Sequence, residues 1–212
     1  MRKILLILCI VFFAMVFISC NNEDKNIPSK PTETDWEEIE ESCTETISGV
    51  EEFDFSVGEW EYYQYVEQDV IWKDGKEAKL IEICTENLLI EETEYGKKVY
   101  ASNYKLEIKH TFSHKEDYEE EKKYLSEKYE PDRGYLEKIE FIDETNTIIM
   151  VESDTSIVDE SSFSDFIYNL FDFTEYKTNE EKTILMLKDY GDFKTEDGRH
   201  FSGYSKEFYV KK

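Results

Sequence analysis

The chain has 212 residues, with 50 Asp and Glu against 25 Lys and Arg, a formal charge of −25, and 15% Phe, Trp and Tyr. Binding nucleic acid or the anionic face of a bilayer requires Lys and Arg to displace counterions, so this balance excludes both as ligands. Strong acidity with few aromatics would mean disorder, but aromatics are abundant here and lie in alternating segments, so a folded domain is expected.

Arg2 and Lys3 precede an apolar run over residues 4–18, which Ser19 and Cys20 end before the polar Asn21, Asn22, Glu23 and Asp24. Basic start, apolar run and small residue follow the order of an export signal. A spanning helix needs roughly 20 apolar residues, and this run is shorter. The segment Phe17-Ile18-Ser19-Cys20 resembles the lipobox of bacterial lipoproteins, with Phe17 where that family prefers Leu. The resemblance implies that residues 1–19 are a cleaved signal peptide and that Cys20 becomes a lipidated N-terminus. It also implies a location in the bacterial cell envelope, anchored to a membrane by lipid and facing the periplasm or the exterior. The family's cysteine carries more than one acyl chain, which anchors stably where a single chain binds only reversibly. Cleavage leaves 23 basic against 50 acidic side chains, a mature formal charge of −27.

Residues 20–35 hold Pro28, Pro31 and little to bury, and read as a flexible tether. One β-rich domain is expected over residues 36–212, because a chain of this length supports one substantial core. Trp36 and Ile39 among acidic neighbours suggest a short helix over 35–48, with Thr34 or Asp35 as its N-cap. Cys43 and Cys84 are the thiols left after export, and one disulfide between them is a candidate. By loop closure such a bridge would stabilise by about 4 kcal/mol.

From Gly58 to Glu67 the pattern alternates, with Trp60, Tyr62, Gln64 and Val66 on one side and Glu59, Glu61, Tyr63, Tyr65 and Glu67 on the other. Period two predicts a half-buried strand. Asp74-Gly75 suits a tight hairpin turn, after which Leu80, Ile81 and Ile83 return, followed by the apolar run 88–90 and a turn at Tyr95-Gly96. Tyr104, Leu106, Ile108, His110 and Phe112 alternate with Lys105, Glu107, Lys109 and Thr111, giving the clearest strand. Residues 115–129 lack Gly and Pro and pair Glu119 with Lys123 four apart, which favours helix.

A turn at 131–134 precedes a second hairpin, with Tyr135, Ile139 and Phe141 on one arm and the apolar run 148–151 on the other. Phe163, Phe166, Ile167 and Leu170 recur at helical spacing behind Ser161 and Ser162 as caps. Two closing strands follow over 183–188 and 202–210, the second with Tyr204, Phe208 and Val210 inward, joined through Glu196, Asp197 and Gly198. Without βαβ alternation, the list predicts a mainly β fold: an antiparallel barrel or sandwich of about eight strands with one or two accessory helices.

Gly58 and Trp60 are also similar to the Gly-x-Trp opening of lipocalin-like domains. That resemblance implies that Gly58 starts the first strand, that Trp60 plugs one end, and that the interior is a ligand cavity. Trp60, Tyr62, Tyr104 and Ile108 are then the candidate lining or core residues, and a small apolar molecule is the ligand. A second reading is a protein-interaction or adhesion module, with Tyr63 and Tyr65 as its contact surface because tyrosine is favoured at interfaces. Hydrolysis of an envelope component ranks third. No nucleophile elbow, phosphate loop, His-Glu-x-x-His or Cys-x-x-Cys pattern occurs, so neither catalysis nor a cofactor is expected. His110 and His114 alone make no zinc site, since three or four ligands must converge.

Overall fold

The computed structural model describes residues 33–128, 136–155, 158–196 and 198–212, with side chains omitted for residues 33–37 and 128. The signal segment, Cys20, the tether up to residue 32 and the 131–134 turn lie outside the described residues.

Helix α1 (Glu33–Ser42) leads to strand β1 (Glu45–Ile47) and a 3-10 turn (Val50–Glu52). Three long strands follow: β2 (Gly58–Ile71), β3 (Glu77–Thr93) and β4 (Gly96–Phe112). After α2 (Lys115–Lys128) come β5 (Leu136–Ile142), β6 (Thr147–Asp154), β7 (Asp159–Ser162) and α3 (Phe163–Tyr168). The chain ends with β8 (Glu175–Thr178), β9 (Ile184–Lys194) and β10 (His200–Lys211). All pair antiparallel in one sheet, in the order β1-β8-β9-β10-β2-β3-β4-β6-β5, with β7 beside β4. Among the described residues the fold is therefore mainly antiparallel β with ten strands and three short helices, and the sheet is not closed.

Most expected elements appear where their periodicity lies, but two differences matter. The runs around Leu80 and Leu88 are one strand, because Cys84, Glu86 and their neighbours keep the ladder to β2 unbroken from Gly58↔Ile90 to Ile71↔Glu77. Helix α1 begins before Thr34 and Asp35, so neither caps it, and it ends at Ser42, leaving 45–47 to pair with β8. Ser162, by contrast, does cap α3, its Oγ accepting from the Asp165 N–H at 3.1 Å.

Tight turns fall at glycines that can take positive φ, Gly75 (88°) and Gly96 (105°). In the middle of β4 the ladder to β3 slips between Thr85 and Asn87, and Asn103 adopts φ 56°. A bulge of this kind inserts a residue and re-aims the side chains beyond it. Before it, Val99 and Ala101 pair with Ile90 and Leu88; after it, Leu106 and Ile108 pair with Cys84 and Glu82. The bulge thus moves the inward set of β4 from odd to even residues and turns Tyr104 to the inside.

The sheet is covered on both faces. On the inner face, one end is filled by Trp60, Leu88, Ile90, Val99, Leu185 and Leu187 under Phe53, Phe55 and the α3 residues Phe163, Phe166 and Ile167. Trp60 is 1% exposed, its Nε1 donating to the Ser56 carbonyl at 3.0 Å, and its ring lies 5.2 Å from that of Phe55. The other end is filled by Ala78, Phe112 and Ile148 beneath Tyr118 of α2. On the outer face, α1 lays Ile39, with Cys43 just after it, over Tyr63, Met186 and Phe208.

The register and that outer cover correct one expectation. Phe208, Tyr204 and Val210 do not point inward: Phe208 stands opposite Tyr63, Tyr204 opposite Glu67 and Val210 opposite Glu61, all on the outer face. Phe208 is buried nonetheless, because α1 makes a second inside there.

Candidate functional site: a carboxylate belt on the inner face

Between its two apolar ends the inner face turns polar. Register places Glu207 of β10 opposite Gln64, Gln64 opposite Cys84, Cys84 opposite Leu106, and Leu106 opposite Glu152, so one row crosses five strands. The next row sets Tyr209 opposite Tyr62 and Tyr62 opposite Glu86, beside the bulge that aims Tyr104. The row on the other side places Val66 opposite Glu82 and Glu82 opposite Ile108.

Glu207 is the best-held member. It accepts from Gln64 Nε2 at 3.0 Å and from the Tyr209 hydroxyl at 2.9 Å, and Tyr62 donates to it as well. The Tyr62 and Tyr209 rings lie 5.1 Å apart and fix both hydroxyls on that carboxylate. Burial raises the Glu207 carboxyl above its usual range, against the downward pull of these three donors. Burial likewise lifts Glu82 and Glu152. Glu86 is pushed up to about 7 by burial first, then by Asp159 and Glu207. The Cys84 thiol is pushed well up by burial and then by the carboxylates of Glu86, Glu207 and Glu82.

These groups are enclosed but not sealed. Glu82, Glu86, Glu152, Glu207, Tyr62 and Tyr104 are all only half-buried, so water reaches the belt. A filled core would leave them no surface. Among the described residues no three His, Cys, Asp or Glu side chains converge to hold a metal ion. His110 stands edge-on to the stacked Trp72 and Phe112 rings, and burial pushes its pKa down to about 4.

The four expected lining residues therefore divide. Trp60 fills one end as core, whereas Tyr62, Tyr104 and Ile108 face the belt half-buried. Sequence alone does not single out Gln64, Glu82, Glu86, Glu152, Glu207 or Tyr209, because a polar residue in an alternating strand of so acidic a chain reads as solvent-facing. The signal was parity: Glu82 and Glu86 share theirs with Leu80, Leu88 and Ile90, the inward residues of the same strand.

The Cys43–Cys84 bridge is not formed; both thiols are free and buried. Cys43 packs with Tyr63 on the outer face, while Cys84 stands opposite Gln64 on the inner face, so the sheet itself separates them. Tyr63 is likewise no contact surface: it is 9% exposed beneath α1 and donates to Glu61. Tyr65 is half-buried and donates to Glu67 at 2.8 Å. Glu67 also accepts from Tyr204 at 2.7 Å and pairs with Lys79, which together hold its carboxyl down at about 2.

A separate open depression of about 710 Å³ lies at the tips of the β2–β3 and β9–β10 hairpins, lined by Trp72, Lys73, Asp74 and Arg199. It is a shallow surface feature away from the carboxylates. Comparisons with protein-family models, with curated proteins and with solved structures give no match to this chain.

Proposed function

We propose that this chain is an envelope-anchored bacterial lipoprotein whose β domain is a non-catalytic binding module for a small molecule. Residues 1–19 direct export, lipid on Cys20 holds the mature chain at a membrane, and the inner face of the sheet takes the ligand. One observation carries the binding reading: a water-accessible polar belt lies between two apolar ends of the same face. The ligand class follows from its chemistry. Four carboxylates with raised proton affinity and the hydroxyls of Tyr62 and Tyr104 suit an amphipathic molecule with a cationic or hydrogen-bond-donating head. A purely apolar ligand, the simplest guess for a barrel interior, would offer nothing to the carboxylates of Glu82, Glu86 and Glu152.

The test is native mass spectrometry of the chain purified from an exporting host, compared with its denatured mass. A small molecule lost on denaturation, and absent from the Glu86→Gln/Glu207→Gln double variant, is the expected result. A bare mass that stays bare after incubation with a panel of alkyl amines and guanidines sinks the binding reading. Anchoring is tested separately: Cys20→Ser should abolish incorporation of labelled palmitate and release the protein from membranes.

A further inference from the structure

We propose that the inner face takes a ligand with two cationic nitrogens joined by an apolar chain, one nitrogen at Glu152 and the other at Glu82 or Glu86. This rests on the binding reading above and narrows it, because a molecule with a single head would engage only one of those carboxylates.

The four carboxylates of the belt are not equivalent. Glu207 already accepts from Gln64 and Tyr209. On Glu82, Glu86 and Glu152 burial is the leading influence, and no cation among the described residues acts on any of them. Asp159 and Glu207 add repulsion at Glu86. Carboxylates drawn partly out of water with no positive partner favour an incoming cation.

Register sets how far apart the cations stand. Glu152 is opposite Leu106, and Leu106 is opposite Cys84; Glu82 and Glu86 lie two residues to either side of Cys84 on β3. Two strand steps and two residues therefore separate Glu152 from each of them, about 12 Å between backbones at ordinary sheet spacings. Side chains stand roughly perpendicular to a sheet and keep much of that spacing. One ammonium group, about 2.8 Å from the carboxylate that holds it, does not serve two such positions. Two nitrogens on one molecule do, and the second then binds at the high effective concentration that the first provides.

The surface between these acids is apolar. Leu106 and Ile108 occupy the β4 positions between Glu152 and β3, with Ile108 directly opposite Glu82 and Met150 opposite Ile108. All three keep part of their surface open to water. A methylene chain running from Glu152 toward Glu82 crosses Leu106 and Ile108 and removes that surface from water. The order acid, apolar strip, acid is thus the complement of a chain with a charge at each end.

The experiment is titration calorimetry of the full chain, exported and purified in detergent, at pH 8 in physiological salt, with titration into detergent alone subtracted. Octylamine, 1,8-diaminooctane and 1,3-diaminopropane separate charge from spacing. Diaminooctane should bind at least about tenfold more tightly than either of the others. Glu152→Gln, checked by a thermal melt within a few degrees of wild type, should bring diaminooctane down to the level of octylamine. The comparison among the three probes needs only the wild type, so it decides the matter even if that variant folds poorly. Octylamine or diaminopropane binding as tightly as diaminooctane overturns the two-nitrogen inference and leaves the binding reading standing. Absence of binding by all three overturns the inference as well, and the wider panel of amines and guanidines then decides the reading on which it rests.

Discussion

Cys43 and Cys84 lie on opposite faces of the same sheet, the first against Tyr63 beneath α1 and the second opposite Gln64 on the inner face. Burial pushes the Cys43 thiol up to about 11 and that of Cys84 well above its usual range, so neither forms thiolate near neutrality. Both should react with a thiol reagent at pH 8 far more slowly than in denaturant, and reductant should leave the melting temperature unchanged. A drop of several degrees on adding reductant would mean that the two are bridged.

Glu67 anchors the outer face through Lys79, Tyr204 and Tyr65, and its carboxyl is held at about 2. A depressed folded pKa contributes stability above the unfolded value of 4.5 that is lost as pH falls from there toward 2. Glu67→Gln should cost about 1 kcal/mol at pH 7, in the range of hydrogen bonds to a partly exposed charge. The difference from wild type should vanish near pH 2, as read by chemical denaturation at several pH values.

Glu86 carries the opposite sign. Its folded pKa of about 7 lies above the ordinary 4.5, so the folded state holds a proton that the unfolded state has released. Its contribution to stability is present below about 4.5 and is lost as pH rises to about 7. Glu86→Gln should therefore stabilise the protein at pH 8 and make little difference at pH 4. A cationic ligand, which needs the charged form, should bind the wild type more tightly at pH 8 than at pH 6, and titration calorimetry would read that directly.

Gly203 stands opposite both Gln68 and Gly191, where β10 crosses between its neighbours. A Cβ there would come within 2.0 Å of the Glu67 carbonyl oxygen and 2.7 Å of the Gln68 Cα, both backbone atoms that cannot swing away. Gly203→Ala should cost about 3 kcal/mol or more by forcing the β10–β2 ladder apart. Gly191→Ala, whose nearest neighbours are Phe193 ring atoms at 3.6 Å, serves as the tolerated control.

The sequence by itself determined what is local. Period two over 58–67 and 104–112 made strands, Gly75 and Gly96 made turns, and the straight-chain run after Lys115 made α2. Each of these follows from neighbouring residues and their own backbone preferences. Tertiary structure decided which face was inside. Alternation shows that the two faces of a strand differ, but here α1 covers the outer face as the inner ends are covered, so Tyr63 and Phe208 are buried on the wrong side for a one-core reading. It also decided the belt. Gln64 and Glu207 meet at 3.0 Å across 143 residues of chain, and Tyr104 faces the belt because a bulge shifts the parity of β4. Contacts of that separation are set by strand pairing over the whole sheet, which no window of sequence contains.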